Sequence, residues 1–199
     1  CKPLKLAYNG GRFVAGNISD PDFWYCLYDS DGNIYSRVEA FHYSNVKQRG
    51  ADLRLSILAS SKYTFKPDGT RVCVANVASP TVSFSRIDGC DMTDFKRYEI
   101  APPSLQKGHD GFSPDNRNSF CYAASNDSFV FLLYSGRFLA DSSIPGNECN
   151  DIIVYDWEGK PSSHLTLDKH ITAFDIDGDY IVGCSAEPEL RIYRWIYHK

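Results

Sequence analysis

"IIVYDWEGKPSSHLTL", Ile152 to Leu167, decides the architecture. Its first half is a run of β-branched and aromatic residues, its centre is a Glu-Gly turn, and its second half alternates polar and apolar side chains. This reads as strand, tight turn, strand. The same pattern appears in "YCLYDSDGNIYSRVEAF", in "VSFSRIDGCDMTDFKRYEI" and, shortened, in "LRIYRWIYHK". With the first three copies aligned on their glycines and the shortened last one, which has none, on its Ile-Tyr pair, Leu27, Phe84, Val154 and Ile192 coincide. Tyr28, Tyr155 and Tyr193 fall at the next position, where the second copy has Ser85.

Each copy is preceded by a hairpin: "LKLAYNGGRFVAGN", "YTFKPDGTRVCVAN", "FCYAASNDSFVFLLYSG" and "ITAFDIDGDYIVGCS". Their turns fall at Gly10, Gly69, Asp127 and Gly178, which are 59, 58 and 51 residues apart. Hairpin, third strand, Gly turn and fourth strand, repeated at this interval, describe the blades of a β-propeller. A β-sandwich is the rival all-β reading, but it does not explain the regular succession. The chain therefore reads as one domain over 1–199, an all-β propeller of four-stranded antiparallel blades at 3–42, 62–100, 119–168 and 170–199. The last blade has three strands and no spare strand to close it. Either a four-bladed ring closes imperfectly or the chain is part of a larger ring.

Composition agrees with a globular domain. Of 199 residues, 43% are hydrophobic and 23% charged, enough to build a core. A formal net charge of -4 with scattered Lys and Arg gives no electrostatic footprint for nucleic acid. No stretch approaches the roughly 18 to 20 apolar residues that span a bilayer. The first residues lack the pattern of a signal peptide, and Cys1 at the start allows a lipid-modified cysteine. The only helical pattern is "DLRLSILAS", Asp52 to Ser60, with Leu53, Ile57 and Leu58 on one side.

The seven cysteines form no C-x-x-C pair, so no zinc site is expected. Cys26, Cys73, Cys121 and Cys184 lie in apolar runs and read as small buried hydrophobes. Trp24, Trp157 and Trp195 read as packing between blades.

Several longer segments resemble a known family. "NDIIVYDWEGKPSSHLTLDKHITAFDIDGDYIVGCSAEPELRIYRW" is similar to the closing blades of TolB-like six-bladed β-propellers, and "LAYNGGRFVAGNISDPDFWYCLYDSDGNIYSRVEAF" resembles an internal blade of the same family. The resemblance implies a six-bladed ring of which this chain holds the C-terminal blades, the rest supplied by further blades or another chain. It also implies a bacterial envelope protein, periplasmic or anchored as an outer-membrane lipoprotein. Its motifs are strand and turn features, so they speak to fold more than to activity.

Function is sought where the blades are irregular. The turns are short, whereas three long connections, about His42 to Lys62, Ala101 to Ser119 and Gly136 to Asn150, all open on one face. Tyr43, Arg49, His109, Asp110, Arg137 and Glu148 are the candidate contacts for a protein, peptide or glycan partner on that face. The competing reading is a hydrolase or lyase acting on a carbohydrate or lactone at the channel mouth. No catalytic residue, cofactor or metal ligand is assigned. The acidic turns "DSDG" and "DIDGD" fail the calcium-loop spacing: counted from Asp29, positions six and twelve are Ile34 and Ala40. They read as hairpin turns.

Overall fold

A computed structural model describes residues 6–16, 19–143, 147–185 and 190–194. Cys1 and Trp195 lie outside the described residues. The first sheet is β1 (Leu6–Asn9), β2 (Arg12–Gly16), β3 (Phe23–Tyr28) and β4 (Ile34–Glu39), paired in chain order. Then come α1 (Ser44–Lys47) and α2 (Ala51–Ala59). The second sheet is β5 (Ser61–Phe65), β6 (Arg71–Asn76), β7 (Thr81–Asp88) and β8 (Asp91–Glu99). The third is β9 (Phe120–Ser125), β10 (Phe129–Tyr134), β11 (Cys149–Asp156) and β12 (Pro161–Ile171). The fourth has three strands among the described residues, β13 (Ala173–Asp177), β14 (Tyr180–Cys184) and β15 (Leu190–Arg194). All pairings are antiparallel, and β12 continues to Ile171, past the residues where sequence pattern alone places the blade break.

The first strands of successive sheets, β1, β5, β9 and β13, pack side by side in that order. These sheets are propeller blades set around an axis. Burial follows from this arrangement. The two middle strands of each inner blade are covered on both faces by neighbouring blades, so they lose the polar alternation of a half-exposed strand. Val130 to Leu133 of β10 are fully buried, as are Val74 and Ala75 of β6. The outer strands keep one wet side, and β4 buries only Val38.

The repeat position inferred from sequence has a clear physical meaning. Leu27, Phe84 and Val154 each have no exposed surface, and each sits in the core between its own blade and the next. Burying such a side chain stabilises by about 1.5–3 kcal/mol. Ile192, at the same position in the last blade, is 65% exposed.

The helical expectation holds: α2 buries Leu53, Ile57 and Leu58 against the first blade's core. Trp24 and Trp157 are both buried, the first in the core of blades one and two, the second in that of blades two and three. Cys26, Cys73 and Cys121 are buried as expected, but Cys184 is exposed. Cys184 ends β14 in the fourth sheet, which among the described residues packs its first strand against β9 alone. The "DSDG" turn is turn chemistry. The Asp29 carboxylate accepts from the backbone amides of Asp31 and Asn33 and from the Asn33 side chain, which lowers its pKa.

The Glu158–Gly159 turn does more than reverse the chain. Gly159 has φ of 76°, and a Cβ there would lie 2.8 Å from Lys96 Cγ and 3.0 Å from the Phe84 ring. Its carbonyl accepts from Tyr98 Oη at 2.7 Å, and the Trp157 carbonyl accepts from Arg71 Nη1 at 2.6 Å. The turn of the third blade is thus clasped by the second.

Candidate functional site

On β8, Asp94 and Arg97 are three residues apart, an odd spacing that would place them on opposite faces of a regular strand. The register of β7 against β8 steps from Phe84–Lys96 to Ser85–Asp94, leaving Phe95 as an extra residue. This bulge turns Asp94 and Arg97 to one side. There Arg97 Nε donates to Asp94 Oδ2 at 2.8 Å, and its Nη1 and Nη2 donate to the carbonyls of Ala40 (3.2 Å) and Glu39 (3.0 Å) at the end of β4. The guanidinium also lies 5.7 Å from the centroid of the Trp24 ring. One arginine thereby joins the outer strands of blades one and two.

Behind it runs a buried polar chain. Asp94 Oδ1 accepts from Ser83 Oγ at 2.8 Å, and the Tyr25 hydroxyl sits 2.7 Å from Ser83 Oγ and 2.8 Å from Ser85 Oγ. Burial, and then the charge of Asp94, push the Tyr25 phenol far above its usual range, so it stays neutral and shares hydrogen bonds with the two serines.

In front of Arg97 lies an open cleft of about 630 Å³, walled by β4 and β8 and bearing Arg37, Glu39, His42, Asp94, Arg97 and Glu99. A second hollow of about 240 Å³ adjoins it beneath Phe23, Phe41 and Lys47, and Glu39 and His42 line both. His42 Nδ1 is 3.5 Å from Glu99 Oε1, its Nε2 is 3.9 Å from Glu39 Oε2, and its backbone amide donates to Glu99 at 3.2 Å. Arg37, 5.6 Å from the Phe23 ring centroid, and Lys47 form no ion pair among the described residues. Donors and acceptors therefore alternate along the cleft beside an aromatic ring, an arrangement suited to a peptide or glycan that offers both.

None of the six residues expected from sequence lines this cleft, and they fall into two groups. Tyr43 precedes α1 and is half-buried. Its hydroxyl lies 2.9 Å from Thr81 Oγ1, and burial raises its pKa. Arg49 Nη2 donates to the Gln106 carbonyl at 2.8 Å and its Nη1 to the His109 carbonyl at 3.5 Å. His109 and Asp110 are exposed at the tip of a small hairpin closed by the Leu105–Phe112 bridge. Arg137 Nη2 donates to the Glu148 carbonyl at 2.6 Å, closing the base of the β10–β11 connection.

Between the groups the loops are sewn together. Asn45 Nδ2 donates to Pro103 O, Arg117 Nη1 to Gly136 O, and Leu139 N to Asn116 O. The described parts of the three long connections are thus hydrogen-bonded to one another. The cleft residues His42, Glu39, Arg37, Asp94, Arg97 and Glu99 were not legible as a site. The available signal was charge at matching outer-strand ends, in "SRVEAFH" and "DFKRYEI".

Blades set around an axis, with short turns on one face and joined loops on the other, define the class: a β-propeller with a loop-built surface. Residues 4–179 match the family model described as TolB-like 6-blade propeller-like, and the chain belongs to that family. Solved structures agree on the fold. The β-propeller domain of Cps50 (Swd1) from Myceliophteria thermophila matches with TM-score 0.57 at 8% identity, over 96% of this chain and 52% of that one. The periplasmic gluconolactonase PpgL of Pseudomonas aeruginosa gives 0.55 at 13%, over 96% and 48%. The computationally designed protein Ika4 gives 0.54 at 12%, over 96% and 89%. This chain thus spans about half the length of the two natural propellers. No curated protein matches it.

Proposed function

We propose that this protein is a non-enzymatic binding propeller of the bacterial cell envelope, holding a protein, peptide or glycan on its long-loop face. The observation that carries this reading is the charged cleft between β4 and β8, which opens beside the joined loops and is backed by an anchored arginine. A carbohydrate hydrolase needs a pair of carboxylates free to reach substrate. Asp94 and Glu99 both pair with Arg97, and Asp94 also holds Ser83, which leaves Glu39, beside His42, as the one unclamped carboxylate lining the cleft among the described residues and favours recognition over hydrolysis. Envelope placement rests on the family. Among the described residues no helix is long and apolar enough to cross a membrane.

The same proposal includes completion of the ring. The first strands pack β1 to β5, β5 to β9 and β9 to β13, and no contact of similar extent joins β13 to β1 among the described residues. Exposed Ile192 occupies the position that a following blade covers elsewhere. Further blades, or another chain, fit that face.

A photo-reactive residue at position 42 should give a covalent adduct with the partner in the native host, whereas one at the exposed Asp88 on the turn face should give none. Equal labelling from both faces, or adducts from position 88 alone, would overturn the assignment of the binding face.

A further inference from the structure

Cys121 and Cys149 lie in one core cluster, at 7% and 3% exposure, yet belong to different strands. The pairing of β10 with β9 steps from Leu133–Tyr122 to Tyr134–Phe120, so Cys121 is the extra residue of a bulge. Cys149 opens β11, where the register against β12 also shifts. These two irregularities bring the thiols into hydrogen-bond contact, with the Ser135 hydroxyl beside Cys149. The other cysteines with a described neighbour face different chemistry: Cys26 meets Tyr28, Cys90 meets Tyr35, and Cys184 lies 3.9 Å from Thr172 Oγ1.

We propose that Cys121 and Cys149 are a dithiol that closes to a disulfide in an oxidising environment and locks the base of the β10–β11 loop on the long-loop face. The bond would join the innermost strand of the third blade to the residue next to Glu148, whose carbonyl Arg137 already holds. A low-molecular-weight disulfide is the oxidant. One cysteine loses its proton and attacks a sulfur of that disulfide, expelling one thiol. The other then attacks the mixed disulfide, also losing its proton, and expels the second thiol. The Cys121–Cys149 bond forms, and the two electrons leave with the two reduced thiols. Contact between the thiols lets one donate a hydrogen bond to the other's thiolate. The hydrogen bond with Cys121, and then burial, raises the Cys149 pKa, while Ser135 and Arg137 act in the opposite sense.

The test uses the purified chain equilibrated in reduced or oxidised glutathione, quenched in acid, alkylated and digested with trypsin. Oxidation should join the peptide 118–137 to the peptide 138–169. It should raise the melting temperature by about 10 °C, since the bond closes a loop of about 28 residues. Dithiothreitol should reverse both changes, and backbone amides of 135–150 should exchange more slowly in the oxidised form. Cys121→Ser and Cys149→Ser should each abolish the shift. If either variant fails to fold, the peptide map of the unaltered chain still decides. Full alkylation of both cysteines after oxidation, a bond from either to another cysteine, or glutathione mixed disulfides alone would overturn the pairing. Unchanged exchange at 135–150 would overturn the lock.

Discussion

Between the first and second blades the middle strands meet partly through hydroxyls. Tyr25 reaches Ser83 and Ser85, and Asp94 and Arg97 carry the chain out to the cleft. Between the second and third they meet through rings and aliphatic groups: Phe84, Tyr155, Trp157, Val130 and Leu132. Phe84 and Tyr155 pack with ring centroids 5.5 Å apart. The strands are equivalent, so the difference lies in side chains alone. At the position after the aligned repeat residue, the second blade has Ser85 and the third has Tyr155. A ring there seals a junction, whereas a hydroxyl lets polar groups run to the surface, and the wider cleft opens where they do.

The largest expected effect comes from breaking the dry junction. Phe84→Ala removes a fully buried ring from between two blades and should cost about 3–5 kcal/mol in denaturant unfolding, with the β4–β8 cleft unchanged. A loss under 1 kcal/mol would show that the second and third blades do not depend on this contact.

The polar junction should respond less to an equivalent deletion. Asp94→Ala removes the charged partner of Arg97 and Ser83, leaving Arg97 to Glu99 and the Ala40 and Glu39 carbonyls and Ser83 to Tyr25, and should cost about 1.5–3 kcal/mol. In that background Tyr25→Phe should have a smaller effect than in the unaltered chain. Strict additivity of the two substitutions would break the idea of a continuous relay.

The smallest effect sharpens the comparison through pH. Burial is the main cause that raises Tyr25, Tyr63 and Tyr155, and it pushes Tyr28 up to about 12. A folded-state pKa above the unfolded value near 10 gives stability that is fully present below about pH 10 and lost as pH rises through the folded value. Melting temperature should therefore begin to fall from about pH 9, where the raised thiols of Cys26, Cys73 and Cys149 lose their contribution, and fall more steeply above about pH 10, with these phenols titrating last in absorbance at 295 nm. Normal titration of all thirteen tyrosines in the native protein would contradict the burial of both junctions.

Sequence pattern captured what repeats and missed what does not. The hairpin turns, the aligned Leu27, Phe84 and Val154, and the helix at Leu53–Leu58 follow from period and composition, because packing between blades imposes the same demand at each step. The cleft depends on a one-residue bulge at Phe95 and on two outer strands meeting across 57 residues of chain, from Glu99 to His42. Neither has a local signature. Long loops drew attention to Tyr43, one residue from His42. The hydroxyl of Tyr43 turns inward to Thr81, whereas His42 faces the cleft, and no periodicity separates two neighbours in a loop.

The clasped turn at Gly159 has a practical corollary for anyone attaching a tag, tether or fluorophore. At the Gly178 tip nothing lies within 4 Å of a Cβ, and the flanking Asp177 and Asp179 are exposed, so cargo can be carried on those neighbours while the glycine keeps its φ of 56°. The Gly159 tip is already occupied by the neighbouring blade, and a graft there would pry the second and third blades apart.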